Sequence, residues 1–188
     1  EKHKLGEALF VENDPSVAVF HLSLEGFRAD DVHALNPVAP REIAPFTNAL
    51  YEGREGVLTA RKMFQAGVRT AHCLGAMTCG LGTLPYNLSI IRDLDAFPLR
   101  CAPDVLRAAG FQGTFFYGSD AEFDHMARFL LGHGFSQVVS QPDFPKDKPK
   151  GAWSGLTDFV VFDEAVKRES QRQTFSQFAL VMSLSNHS

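Results

Sequence analysis

The chain has little cysteine: three in 188 residues, Cys73, Cys79 and Cys101. Their spacing matches no zinc-ligand pattern, and an odd count argues against a disulfide framework, so buried thiols are the expectation. There is one Trp and three Tyr against 17 Phe, which places the aromatic mass in an apolar interior. No apolar run approaches the roughly 20 residues of a membrane span. The residues around Glu1 have none of the features of a signal peptide. Net charge is −4, which gives nucleic acid no reason to bind. The only basic cluster, Lys146, Lys148 and Lys150, is interrupted by Asp147 and Pro149 and reads as a solvated loop. Internal repeats and a second domain are also missing. The length suffices for one domain with a real core.

What is present is an alternation of short apolar runs and helical patterns. Residues 1–15 are polar and irregular. Residues 16–24 form a β-rich run, bounded by Pro15 and by Glu25-Gly26. Residues 44–51 have helical spacing with Pro45 in the first turn, and residues 57–64 alternate loosely as a possible strand. A helix over residues 70–79 stops at Gly80. Further helices are expected over 102–109, 121–131 and 158–169, the last with Thr157 as its cap. Further strands are expected over 113–118, 135–140 and 178–184. Residues 90–97 fit neither pattern. This rhythm predicts an α/β fold: a layered, mainly parallel sheet with helices on both faces.

Two places could carry chemistry. Thr70 stands near a helix N-terminus, where free N–H groups and the dipole favour an anion, and Arg69 beside it adds a fork suited to phosphate or sulfate. It is either a nucleophile there or only a helix cap. Glu25 follows the first strand, at the carboxyl edge where open α/β sheets build sites. It is either a ligand for a hard cation or one of several solvated acids with Asp30 and Asp31. His21 reads as a core or edge residue, and His72 as at most a support behind Thr70. His125, His133, Asp93 and Asp95 read as surface groups. Asp120, at a strand end, could reach a site.

Three pieces taken together change the weighing: Glu25-Gly26-Phe27-Arg28-Ala29-Asp30, Gly67-Val68-Arg69-Thr70 with its helix, and Ser185-Asn186-His187. They resemble the sulfatase domain of the alkaline phosphatase superfamily, and more narrowly the branch of lipoteichoic acid synthases and related phosphoglycerol or phosphoethanolamine transferases. Glu25 to Asp30 matches that branch's Glu-Ser-x-Arg-x-Asp except for Gly26. Formylglycine-dependent sulfatases carry Cys-x-Pro-x-Arg, followed by a helix closed by Thr-Gly. Counted from Thr70, that closing Gly falls on Gly80, with Cys79 where Thr is usual, so Thr70 occupies the nucleophile slot. Cys101-Ala102-Pro103 lacks the Arg and opens a different helix.

The resemblance spans about residues 16–188, read as the N-terminal portion of a catalytic domain that is incomplete at its C-terminus. It implies Thr70 as nucleophile, Glu25 and Thr70 as ligands of a divalent manganese, magnesium or zinc ion, and Arg69 and His187 as substrate-binding groups. The implied substrate is a phospholipid head group or another anionic ester, with a phosphoglycerol- or phosphoethanolamine-like group passed on. A sulfate or phosphate ester hydrolase, and a non-catalytic remnant of the fold, remain as alternatives. The relatives also use an Asp-His metal pair downstream of Ser-Asn-His, absent here, so the 188 residues alone are expected to be inactive. The implied location is the extracytoplasmic side of a membrane protein, anchored through segments upstream. Asp124 and Met126 stand where relatives place substrate-contacting side chains, so head-group preference does not transfer.

Overall fold

In the computed structural model, residues 17–171 and 176–186 are described. Four strands, β1 (Ala18–Ser23), β2 (Gln112–Tyr117), β3 (Phe135–Val139) and β4 (Gln177–Met182), form one sheet in the order β1-β4-β2-β3. Every pair is parallel. Parallel strands need crossovers, and among the described residues six α-helices supply or flank them: α1 (Pro45–Tyr51), α2 (Thr70–Cys79), α3 (Ile90–Asp93), α4 (Ala102–Ala108), α5 (Met126–Gly132) and α6 (Asp158–Ser170).

The strands read as near-continuous apolar runs because both faces of the sheet are covered. Phe115 and Tyr117 of β2 and Phe178, Leu180 and Met182 of β4 point to one side, into a core with Leu74 of α2 and Phe129 and Leu130 of α5. Phe116, Ala179 and Val181 point to the other, against Val161 and Ala165 of α6. The expected parallel sheet with helices on both faces is therefore the observed one. β1 is the exception: it lies at the edge, and Val19, Phe20 and Leu22 stay largely exposed. His21 sits on that strand, half-buried, with its pKa lowered by burial.

Several local expectations are corrected. Residues 57–64 form no strand; their apolar side chains are exposed, so the alternation reflects no pleat. The helix expected from residue 121 begins at Met126, because Asp124 and His125 adopt left-handed backbone angles of φ 52° and 60°. Ile90–Asp93 is a single helical turn that Ser89 caps. Thr157 does precede α6, but its side chain makes no capping bond. His133 is buried, stacked on Phe129, with Nδ1 2.8 Å from the Phe129 carbonyl and Nε2 3.2 Å from that of Phe97. Asp95 is largely covered and pairs with Arg128 and His125. Asp93 accepts from the Ser89 amide at 2.7 Å.

The largest departure is covalent. Cys79 and Cys101 are disulfide-bonded, with only Cys73 unpaired. Cys79 ends α2 and Cys101 is the N-cap of α4, so the bond ties two helices whose packing the 22-residue separation does not reveal. Loop-closure entropy for this length gives about 3 kcal/mol. Cys79→Ser is expected to lower the melting temperature by about 6–12 °C for a domain of this size. Calorimetry of the variant against the oxidised protein checks it, and an unchanged melting temperature contradicts it.

Candidate functional site

The site forms where the carboxyl ends of β1 and β4 lie side by side. β1 leaves the sheet at Ser23 and delivers Glu25. β4 leaves at Met182 and delivers Ser183 to Asn186. The two exits are stitched together. The Glu25 amide donates to Ser183 Oγ at 2.8 Å, and Asn186 Nδ2 donates to the Gly26 carbonyl at 2.8 Å. Gly26 has φ +68°, and a Cβ there would lie 2.6 Å from the Asn186 carbonyl oxygen. That contact explains the glycine at this position of the Glu25–Asp30 motif: a serine would be both strained and overlapped.

α2 brings the second component. Its N-cap is Arg69, in extended conformation, and Thr70 is the first helical residue. The Thr70 side chain does not turn back to cap its own helix. Its Oγ1 donates to Glu25 Oε1 at 2.6 Å, across 45 residues of sequence. The turn before it is tight: a Cβ on Gly67 would meet Thr83 Oγ1 at 2.4 Å and the His72 Cβ at 2.5 Å. His72 itself is buried at 2 % exposure and does not line the cleft. Cys73, one turn on from Thr70, donates its Sγ–H to the Gly67 carbonyl at 3.2 Å.

An open cleft of about 900 Å³ gives access to the pair, lined by Glu25, Arg28, Arg69, Thr70, Met77 and Asn186 among others. Arg28 is held by Asp31 through two contacts at 3.2 Å, and their pairing pushes the Asp31 carboxyl below its ordinary range. Arg69 is exposed, and its charge helps hold Asp93 low, after the larger effects of Arg92 and the Ser89 amide. The arrangement therefore offers a hydroxyl at a helix N-terminus, a carboxylate in contact with it, and the Arg69 side chain lining the same cleft. A hydroxyl so placed faces whatever anionic group the helix terminus attracts.

Glu25 and Thr70 are hard oxygen donors of the kind that hold manganese or magnesium. They could supply two ligands, and no group of three or more His, Cys, Asp or Glu suited to a metal occurs among the described residues. Of the remaining expected residues, His187 lies outside the described residues. Asp120 is exposed, and its carboxylate accepts from the Glu122 amide at 2.9 Å, away from the cleft lining.

Three contributors escaped the sequence reading. Ser183 and Asn186 fix the Glu25 loop, as above. Asp158, the first residue of α6, accepts from the Leu184 amide at 2.6 Å and the Ser185 amide at 3.0 Å, while its own amide donates to Ser185 Oγ. It holds the β4 exit in place from the opposite face of the sheet. Only an acid in the first turn of α6 hinted at it, and that reads equally as a dipole partner.

Tyr117 closes β2 beneath the site. Burial pushes its pKa up to about 12, with smaller contributions from the charges of Glu25 and Asp124. The fold thus keeps the neutral phenol, whereas an unfolded tyrosine ionises near 10. Stability is expected to be unaffected below about pH 10 and to fall as pH rises from there to about 12, because the unfolded chain releases the proton first. Tyr117→Phe should flatten that fall and remove a late phenolate absorbance step. An alkaline titration in which the variant and the parent coincide contradicts this.

A family model described as Sulfatase matches residues 18–188. A solved protein of the alkaline phosphatase superfamily from Vibrio parahaemolyticus aligns with a TM-score of 0.75 and 26 % identity, over 94 % of this chain and 42 % of that one. The lipoteichoic acid synthase LtaP from Listeria monocytogenes shares the fold at a TM-score of 0.75 and 16 % identity, over 92 % of this chain and 41 % of its own. The chain thus spans about two-fifths of the length of these solved relatives. With a family model matched over nearly the whole sequence and a parallel α/β sheet that aligns with these structures, the chain belongs to the sulfatase family of the alkaline phosphatase superfamily.

Proposed function

We propose that the chain carries the nucleophile half of a metal-dependent phosphoester transferase site. The observation that carries this reading is the 2.6 Å contact between Thr70 Oγ1 and Glu25 Oε1 at the start of α2. The resemblance implies a divalent metal, and such a cation would supply charge that lowers the hydroxyl's pKa and polarises the phosphoryl oxygen. Glu25 and Thr70 would hold it, with the remaining ligands coming from sequence that the longer solved relatives have and this chain does not.

Thr70 Oγ1 would attack phosphorus, its proton passing to solvent, while the P–O bond to the leaving alcohol breaks and that alcohol takes up a proton. A second attack on phosphorus, by an acceptor alcohol, frees Thr70 again. Arg69 and the N–H groups of the first turn would neutralise the phosphate oxygens, and His187, in the Ser-Asn-His element, would donate to a phosphate oxygen or assist the leaving group. The transferred group is phosphoglycerol- or phosphoethanolamine-like, by analogy with the synthase whose fold the chain shares. With water as acceptor the same chemistry is hydrolysis.

The disulfide supports an extracytoplasmic setting, because such bonds persist in oxidising compartments. No helix among the described residues is long and apolar enough to cross a membrane. The test is turnover of phosphatidylglycerol with manganese, using the chain extended to the length of its relatives. Manganese-dependent release of diacylglycerol is expected, with transfer to glycerol rather than water. Turnover indifferent to chelation sinks the reading, and glycerol phosphate as sole product replaces the transferase with the hydrolase.

A further inference from the structure

Residues 56–69, which lead into Thr70, contain no acid although the chain as a whole is acidic. They hold three cations, Arg61, Lys62 and Arg69, interleaved with Val57, Leu58, Met63, Phe64 and Val68. All five apolar side chains are exposed, Leu58 at 100 % and Phe64 at 92 %. This display is held from beneath. Tyr51 Oη donates to the Ala60 carbonyl at 2.8 Å, and Arg61 donates to the Ala34 carbonyl at 3.0 Å with its guanidinium over the Tyr51 ring. Beyond it, Thr83 Oγ1 donates to the Ala66 carbonyl at 2.9 Å. Residues 62–65 are thus carried between fixed points with Met63 and Phe64 turned to solvent. The same stretch continues into the cleft wall through Gln65, Val68 and Arg69.

Apolar side chains of this size, clustered and exposed, mark an interaction surface. Cations set between them select its partner. An anionic lipid surface takes Met and Phe into the acyl boundary while Lys and Arg meet the phosphates. We propose that residues 56–69 dock the chain on an anionic lipid surface, with the cleft mouth facing the head groups. The proposal rests on the phosphoester reading only in making a lipid head group the substrate; docking itself needs neither Thr70 nor a metal.

The test is flotation of the 188-residue chain with vesicles of phosphatidylcholine alone, or with about a third phosphatidylglycerol. Flotation with the anionic vesicles only is expected, weakening as salt rises. Met63→Ser combined with Phe64→Ser should reduce the bound fraction about tenfold, and Lys62→Gln should reduce it less and blunt the salt dependence. These side chains are solvent-facing, so circular dichroism should show both variants folded. Thr70→Ala, or added chelator, should float as the parent does, which separates this result from any failure of the catalytic reading. Three results overturn the proposal: no flotation with anionic vesicles, equal flotation of the double variant, or self-association of the parent that the double variant loses, which would make the surface a contact between copies.

Discussion

Thr70→Ala is expected to lower phosphoester turnover by at least about 10³-fold in the active, metal-loaded protein, with no change in melting temperature beyond about 1 °C. The asymmetry follows from what the side chain touches. Thr70 is half-buried at the first helical position, and its hydroxyl bonds a side chain rather than its own backbone. Deleting it therefore removes no helix cap. Were Thr70 only a cap, the variant would lose about 1 kcal/mol of stability and keep its activity. Thr70→Ser keeps the nucleophile and should retain measurable turnover. Glu25→Gln keeps the shape but removes the carboxylate charge available to a cation, so it should raise the manganese concentration needed for activity. Kinetics and thermal melts on the three variants separate these cases. An active Thr70→Ala protein contradicts the nucleophile role outright.

Gly134→Ala has the largest expected effect on the fold. Gly134 links α5 to β3 at φ +98°, and a Cβ there would lie 2.3 Å from the Pro103 carbonyl carbon and 2.4 Å from the Asp104 amide nitrogen. Both are main-chain atoms in the first turn of α4, so no rotamer change relieves the overlap. Either α4 shifts or β3 does. A loss of about 4 kcal/mol or more is expected, equivalent to a fall of about 8 °C or more in melting temperature. The first turn of α4 also begins at Cys101, bonded to the end of α2. Displacement there is transmitted toward the helix that carries Thr70. A melting temperature within about 2 °C of the parent contradicts the packing described.

The elements that the sequence made legible are those where burial and periodicity agree. The runs at 113–118 and 178–184 are apolar apart from Thr114 and Ser183 because both sheet faces are covered, and they emerge as Gln112–Tyr117 and Gln177–Met182. The 70–79 helix is bracketed by Arg69 and by Gly80 at φ +69°, and its limits are those read from the Gly stop. Residues 57–64 misled because exposed apolar side chains and a half-buried strand share the same alternation. Residues 90–93 form too short a turn for any period to show.

Tertiary facts were less accessible. That β4 inserts between β1 and β2 is written nowhere locally, and neither is the meeting of Cys79 with Cys101. Glu25 and Thr70 were singled out because their motifs resemble a family; local reading left each balanced against a bland alternative. The anchoring roles of Asp158, Ser183 and Asn186 were invisible, although Asn186 lies in the Ser-Asn-His motif, because they act through backbone bonds across 26 to 160 residues.

The account stands on Glu25 and Thr70 sharing a cation. Anomalous scattering from manganese-soaked crystals of the chain extended to the length of its relatives tests it most directly. The account predicts a peak at about 2.0–2.6 Å from both Glu25 Oε1 and Thr70 Oγ1, replacing their hydrogen bond. Manganese bound elsewhere, with Thr70 still donating to Glu25 at 2.6 Å, would contradict it.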